Sequence, residues 1–302
     1  MRTYFDCIPC FVRQTLDSVR LITDDEQIHE RVMREVLRLA SKMDLRQSPP
    51  AMAQKIHRLI RKLTGVQDPY LQTKDRFNKL ALKMYPELRK KVEASADPFE
   101  TAIRLAIAGN IIDLGVKTGL AESQVEETIT QSLTDPLDIK ALKGFRNATS
   151  RAKDILYLGD NAGEIVFDRL LIEQLPCEKI TFVVKANPII NDATMEDAEI
   201  VGLTDIVSVI DNGSDAPGTI LEDCSEKFRR RFNEADLVIA KGQGNYETLS
   251  DVDKDIFFIL RAKCPVIARH LDCEVGEMIL RKSKIFNSVV DLIKEEQADA
   301  GI

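Results

Sequence analysis

The 302-residue chain has no apolar run of about 18 residues, the length a helix needs to cross a bilayer, so no membrane span or membrane partner is expected. No long apolar stretch follows the basic residue of MRTYFDCIPCFVRQ, which argues against a secretory leader and for the cytoplasm. Cysteine is sparse: Cys7, Cys10, Cys177, Cys224, Cys264 and Cys273 are too dispersed for the disulfide framework of a small secreted protein, so thiols are expected. With three histidines and no G-x-S-x-G, there is little scope for a histidine-based nucleophilic triad. Neither G-x-G-x-x-G nor a Walker A sequence is present. Internal repeats, low-complexity tracts and long linkers are also missing.

Charge is present but unevenly spread. Residues 1–150 carry 24 Lys and Arg against 20 Asp and Glu, whereas residues 151–302 carry 18 against 29. An acidic second half argues against a nucleic-acid footprint. It leaves room for a cation held by carboxylates, although solvated acidic faces would give the same count.

The first 150 residues read as helices. DEQIHERVMREVLRLASKM sets Ile28, Val32, Val36, Leu37, Leu39 and Ala40 at helical spacing behind an acidic first turn. SPPAMAQKIHRLIRKLTG has Ser48 as N-cap, prolines in its first turn and Gly65 as a stop. Two further helical stretches cover 69–95 and 97–119, and a shorter one covers 121–132. From about 153 the texture changes to short β-rich runs at 154–158, 180–184, 206–210, 236–240 and 265–268. Amphipathic segments at 164–175, 193–201 and 221–234 separate them. This alternation predicts βαβ units: an α/β chain with a Rossmann-like α/β/α parallel sheet and a helical N-terminal region, divided at about 150/151. The last residues, 297–302, are expected to fray.

In open parallel sheets, ligands bind where strands end and loops lead into helix N-termini. Behind four of the five expected strands stand GDNAGE (159–164), KANPIIND (185–192), DNGSDAPG (211–218) and KGQGNYE (241–247). Each carries Asp or Asn among small residues. A loop meant only to cradle phosphate would not choose Asp160, whose charge repels phosphate unless a cation lies between them. Hard divalent cations take oxygen ligands, and Asp160 and Asn161 offer these, with Asp192 as a third contributor. The competing explanation is that Asp160 and Asn161 merely cap the following helix. Asn187, Asn191, Asp211 and Asn212 are weaker signals, being ordinary turn residues too. In KGQGN, Gly242 and Gly244 would let backbone approach a ligand, while Lys241, Gln243 and Asn245 supply donors. Lys263 is either a phosphate contact or a solvated lysine.

Cys7 and Cys10 form C-x-x-C, a weak signal alone because zinc needs four ligands; His270 and Cys273 could complete a set, but a buried pair of thiols is the preferred reading. His29 and His57 fall beside charged residues on helices and are expected at the surface.

Taken together, CIPCFVRQ, DPYLQTK, AGNIID, LGDNAGE, KANPIINDAT, KGQGNYE and RAKCPVIA, spread over nearly the whole chain, resemble the DUF89 family of damage-control metallo-phosphatases in its archaeal and bacterial branch. The resemblance implies a helical region beside a Rossmann-like domain and metal-dependent hydrolysis of small phosphate esters, sugar phosphates or damaged metabolites. It implies one divalent ion (Co, Mn, Ni or Mg) on Asp160, Asn161 and Asp192. Substrate contacts would fall on Asn110, on KGQGN and on Lys263, with Asn110 bringing the helical half over the cleft.

The expected chemistry is metal-assisted attack by water on a phosphomonoester. Lys241, Lys263 and N–H groups at the helix start after Gly163 would meet the phosphoryl oxygens. Glu164 would act as general base or as support for the ligands. Covalent attack by Asp160 is disfavoured, because Ala162 interrupts the D-x-D of aspartyl-phosphate enzymes. The rivals are S-adenosylmethionine-dependent carboxyl methyl transfer, for which a glycine-rich cofactor loop is missing, and a non-catalytic metal- or nucleotide-binding protein.

Overall fold

A computed structural model describes residues 1–109, 127 and 129–283. Its centre is a six-stranded sheet built from β1 (Ile155–Leu158), β2 (Ile180–Val184), β3 (Ser208–Asp211), β4 (Leu237–Lys241), β5 (Ile256–Arg261) and β6 (Met278–Lys282). The order is β3-β2-β1-β4-β5-β6, with every pairing parallel except β5–β6. From β1 the chain steps outward to β2 and β3, then returns to lay β4 against the other edge of β1. That reversal makes the carboxyl ends of β1 and β4 the topological switch point, the usual ligand position in such sheets.

Side chains alternate across the sheet, as the two-residue strand period requires. Ile155, Tyr157, Phe182, Ile239 and Phe257 enter one apolar layer, while Leu156, Leu158, Val238, Ala240 and Phe258 enter the other. The first layer is closed by α4 (Leu71–Glu93), α5 (Pro98–Ala108), α6 (Ile139–Arg151) and α7 (Glu164–Ile172). The second is closed by α9 (Glu226–Glu234), α10 (Gly242–Leu249) and α11 (Pro265–Leu271). Between β2 and β3 lies the short α8 (Met195–Ile200). Helices α1 (Cys7–Ile22), α2 (Glu26–Ala40) and α3 (Pro49–Thr64) share a separate apolar cluster of Phe11, Val19, Val32, Val36, Ile56 and Ile60.

Local signals account for the helix ends. Asp25, Asp97 and Asp138 accept backbone N–H groups at the starts of α2, α5 and α6. Prolines open α3, and Gly65 closes it at φ 76°, in the left-handed region. The division expected at about 150/151 falls at the C-terminal end of α6.

Three sequence expectations need correction. Residues 265–268 (PVIA) begin α11 and are not a strand. Four apolar residues cannot distinguish strand from buried helix, and Pro265 belongs at a helix start. The fifth strand is IFFILR at 256–261, and β6 adds a sixth. His57 is buried at 3 % exposure, not at the surface, with the Tyr70 ring beside it and Arg61 and Asp215 nearby. The Cys7–Cys10 pair is not buried either: Cys7 is half-buried and Cys10 exposed, and all six cysteines remain thiols. The helix expected at 121–132 falls largely outside the described residues, as do 110–119 and residues 297–302, expected to fray.

Burial, reinforced by the nearby Arg61 and only partly offset by Asp215, lowers His57 to about 4, and its Nε2 has no hydrogen-bond partner. A folded-state value below the unfolded value of about 6.5 means that stability is fully present above pH 6.5 and lost as the pH falls toward 4. Relative to His57→Leu, the native chain is expected to lose about 2–3 kcal/mol between pH 7 and pH 4.5, read from urea unfolding. Parallel pH profiles for the two proteins would contradict this.

Candidate active site

Main-chain pairing brings two of the strand-end loops together. Ala193 N–H donates to Asp160 O (2.8 Å), Ala162 N–H donates to Asn191 O (2.9 Å), and Asn161 bridges antiparallel to Asp192. The loop after β1 is thus zipped to the loop after β2. Asp160 and Asn161, which precede Asp192 by 32 and 31 residues, become its neighbours, all three buried. Asn161 Nδ2 donates to Asp160 Oδ2 and to Glu164 Oε2, each at 2.9 Å.

Burial raises the Asp160 carboxyl well above its usual range, and Glu164 and Asp192 push it further in the same direction, against Lys263 and Lys185. Burial also raises Asp192 to about 6, with Lys185 as the main offset. Lys185 Nζ stands 3.6 Å from Asp192 Oδ2, an ion-pair distance too long for a hydrogen bond, and Oδ2 has no hydrogen-bond partner.

Several residues expected at the ligand surface turn out to support it from behind. Lys241 is fully buried. Its ammonium donates to Ala106 O (3.0 Å), Glu164 Oε1 (2.7 Å) and Asp168 Oδ1 (2.6 Å), so all three N–H groups are committed within the protein. Burial pulls Lys241 down, but Asp168 and Glu164 outweigh it and hold the amine above its ordinary value. This corrects the expectation that Lys241 meets phosphoryl oxygens.

Gly163 N–H donates to Asn78 Oδ1 of α4 (2.7 Å), and a Cβ at Gly163 would stand 2.8 Å from the Phe77 Cβ. Gly163 is glycine for packing against α4, and its amide is occupied. Gly244 lies against Gly218, where a Cβ on Gly218 would come 2.2 Å from Gly244 O. Asn245 is buried and donates to Gly159 O and Lys241 O while accepting from Thr219 Oγ1. Gln243 donates to Glu247 Oε1 at 2.9 Å. Asn245 thus braces the loop after β1, while Gln243 and Gly244 stay half-buried at the start of α10.

Other expected residues remain accessible. Lys263 is exposed in the turn from β5 to α11, close enough to Asp160 to favour its charged form. Asn187 is exposed in the loop after β2. Asn110 lies outside the described residues. The hollow lined by Arg89, Arg169, Glu173 and Ile206 contains none of these groups.

Sequence reasoning missed Asn78, Lys185 and Asp168. Asp168 had a signal: it stands four residues after Glu164, on the same side of EIVFDRLLI, a helix that apart from Arg169 is otherwise apolar and almost wholly buried. Lys185 opens the loop after β2 and was legible only as a lysine at a strand end. Nothing in the helical pattern of α4 marked Asn78.

The oxygen-rich set fits a hard divalent ion. Asp160 and Asp192 are buried like charges, and Asp192 Oδ2 lacks a partner. Among the described residues no three His, Cys, Asp or Glu side chains gather as a metal cluster; this set has two carboxylates and a carboxamide. The zinc set expected as one alternative for Cys7, Cys10, His270 and Cys273 does not assemble, and His270 Nδ1 instead lies 2.7 Å from Tyr246 Oη.

At Gly242 (φ 77°) a Cβ would fall 1.9 Å from Asp160 Oδ2, whereas at Gly65 (φ 76°) it would meet nothing within 4 Å. Gly65→Ala is expected to cost about 1–2 kcal/mol of backbone strain. Gly242→Ala is expected to cost roughly 1–3 kcal/mol more by displacing Asp160. Equal losses in urea unfolding would show that Asp160 does not hold this position.

A family model described as "Damage-control phosphatase ARMT1-like domain" matches residues 3–279. A damage-control phosphatase of Archaeoglobus fulgidus is 38 % identical, over 91 % of this chain and 97 % of that protein. One from Pyrococcus horikoshii is 36 % identical, over 94 % and 99 %. A crystal structure of a DUF89 family protein from Pyrococcus horikoshii superposes with a TM-score of 0.87 at 36 % identity, covering 94 % of this chain and 100 % of that one. No helix of the described residues is long and apolar enough to cross a membrane. By fold, by sequence and by the loops that meet at the sheet's carboxyl edge, this chain belongs to the damage-control phosphatase ARMT1-like (DUF89) family.

Proposed function

We propose that the chain is a divalent-metal-dependent phosphatase acting on small phosphomonoesters, sugar phosphates or damaged phosphorylated metabolites. The names of its relatives support the phosphatase activity. One observation carries the metal. Around the end of β1 four carboxylates are buried (Asp160, Glu164, Asp168 and Asp192), against two buried ammonium groups, Lys185 and Lys241. With all of them ionised, two negative charges remain uncompensated in a low-dielectric interior. Such a cluster either takes up protons, as the raised Asp160 and Asp192 values express, or takes up a divalent cation.

The ligands would be Asp160, Asn161 and Asp192, and the bound ion would supply Lewis-acid polarisation of a phosphoryl oxygen. Lys263, exposed and near enough to act on the Asp160 charge, would meet the remaining charge of a bound phosphate. Lys185 holds the loop after β2 by donating to Gly218 O and balances Asp192. Glu164 is tied to Lys241 and to Asn161, which suits it to hold the ligands rather than to accept a proton from water.

Phosphate release from a panel of sugar phosphates and nucleotides is expected to stop with EDTA and to return with Co²⁺, Mn²⁺, Ni²⁺ or Mg²⁺. Asp192→Ala should lose roughly 10²–10⁴-fold in turnover, the loss expected when several kcal/mol of transition-state stabilisation go. EDTA-resistant turnover, or an Asp192→Ala protein with near-normal rate, would refute the proposal. Methylation of a carboxyl substrate without phosphate release would point to a transferase.

A further inference from the structure

Lys241 sits at the end of β4, fully buried, with its ammonium divided among Glu164, Asp168 and the carbonyl of Ala106. Tyr157 Oη donates to the same Asp168 oxygen at 2.8 Å, anchoring the far side. What matters for the site is the distribution over Glu164. Lys241 takes Oε1, leaving Oε2 to accept from Asn161 Nδ2 at 2.9 Å. The other hydrogen of that amide goes to Asp160 Oδ2, also at 2.9 Å.

A carboxamide has one donor end and one acceptor end, and its orientation follows from its neighbours. Both neighbours of Asn161 Nδ2 are carboxylate oxygens, so the nitrogen faces them and Oδ1 faces away. Oδ1 is the only atom of that side chain able to ligate a hard cation.

We propose that Lys241 is a positioning residue: by fixing the Glu164 carboxylate, it dictates which end of the Asn161 amide faces the ion. This rests on the metal site proposed above and extends it to a residue that touches neither ion nor substrate. Groups behind metal ligands commonly act in this way, and their loss weakens metal binding 10- to 100-fold.

Lys241→Met makes the inference falsifiable by sign. Removing a positive charge near a cation site would by itself tighten cation binding. Losing the anchor of Glu164 should weaken it, so Mn²⁺ affinity measured by calorimetry is expected to fall roughly 10- to 100-fold.

A second variant decides the matter if Lys241→Met does not fold. Glu164→Gln keeps the shape, but its carbonyl end must turn to Lys241, a donor only, which points its amide nitrogen at Asn161 Nδ2. Relief comes from turning the Asn161 amide over, away from its ligating orientation. Asp168→Asn is the control: it also removes one negative charge from contact with Lys241 but does not touch Asn161. Glu164→Gln is expected to lose at least about tenfold more Mn²⁺ affinity than Asp168→Asn.

Tighter or unchanged binding by a folded Lys241→Met protein overturns the inference. So do equal losses in Glu164→Gln and Asp168→Asn. A native chain that binds no Mn²⁺ overturns the metal site itself, which is a separate result.

Discussion

The structure is organised around the cost of burying like charges at one edge of a parallel sheet. Asp160, Glu164, Asp168 and Asp192 follow the ends of β1 and β2, and all four are buried. Carboxylates in such a place repel one another strongly, and each must be met by a cation, a hydrogen-bond donor or a proton. Lys241 answers the inner pair, Glu164 and Asp168. The outer pair, Asp160 and Asp192, meets Lys185 at 3.6 Å from Asp192, the Asn161 amide at Asp160 and the exposed Lys263. Burial still raises Asp160, Asp168 and Asp192, and under the proposed function a divalent ion would take up the charge that remains.

The helical N-terminal residues build this edge as much as the sheet does. Asn78 of α4 accepts the Gly163 amide and donates to Asp197, and the buried Lys74 pairs with Asp197 and Asp68. The carbonyl of Ala106 in α5 completes the Lys241 shell. On the opposite flank Arg58 and Arg61 of α3 reach Asp215 in the loop after β3, and Gln54 reaches Asp215 and Asp223. Arg61 also donates to Pro188 O in the loop after β2. Helices far away in sequence therefore fix the loops that hold the candidate ligands.

Much of this was legible in the sequence, for reasons that can be named. The four strands from β1 to β4 were apolar runs ending in Gly, Lys or Asp, and the family motifs marked the loops behind them. PVIA was misread because its length is compatible with either element, while the longer β-rich IFFILR held the better signal. Within the loops, residue type revealed polarity but not direction. Lys241, Gly163, Gly244 and Asn245 all stand at strand ends, yet they turn inward to support the site. Their partners (Asn78, Ala106, Asp168 and Gly218) come from segments that no local pattern connects to them. The pairing of residues 160–162 with 191–193 likewise depends on β1 and β2 lying side by side, a tertiary fact that strand periodicity does not contain.

The central claim is that Asp160, Asn161 and Asp192 enclose one divalent ion. Anomalous diffraction from crystals grown with Mn²⁺ tests it most directly. The account predicts a single strong peak at the carboxyl end of β1, within about 2.0–2.6 Å of oxygens from all three side chains. A peak elsewhere, or an ion held without Asp192, would contradict it.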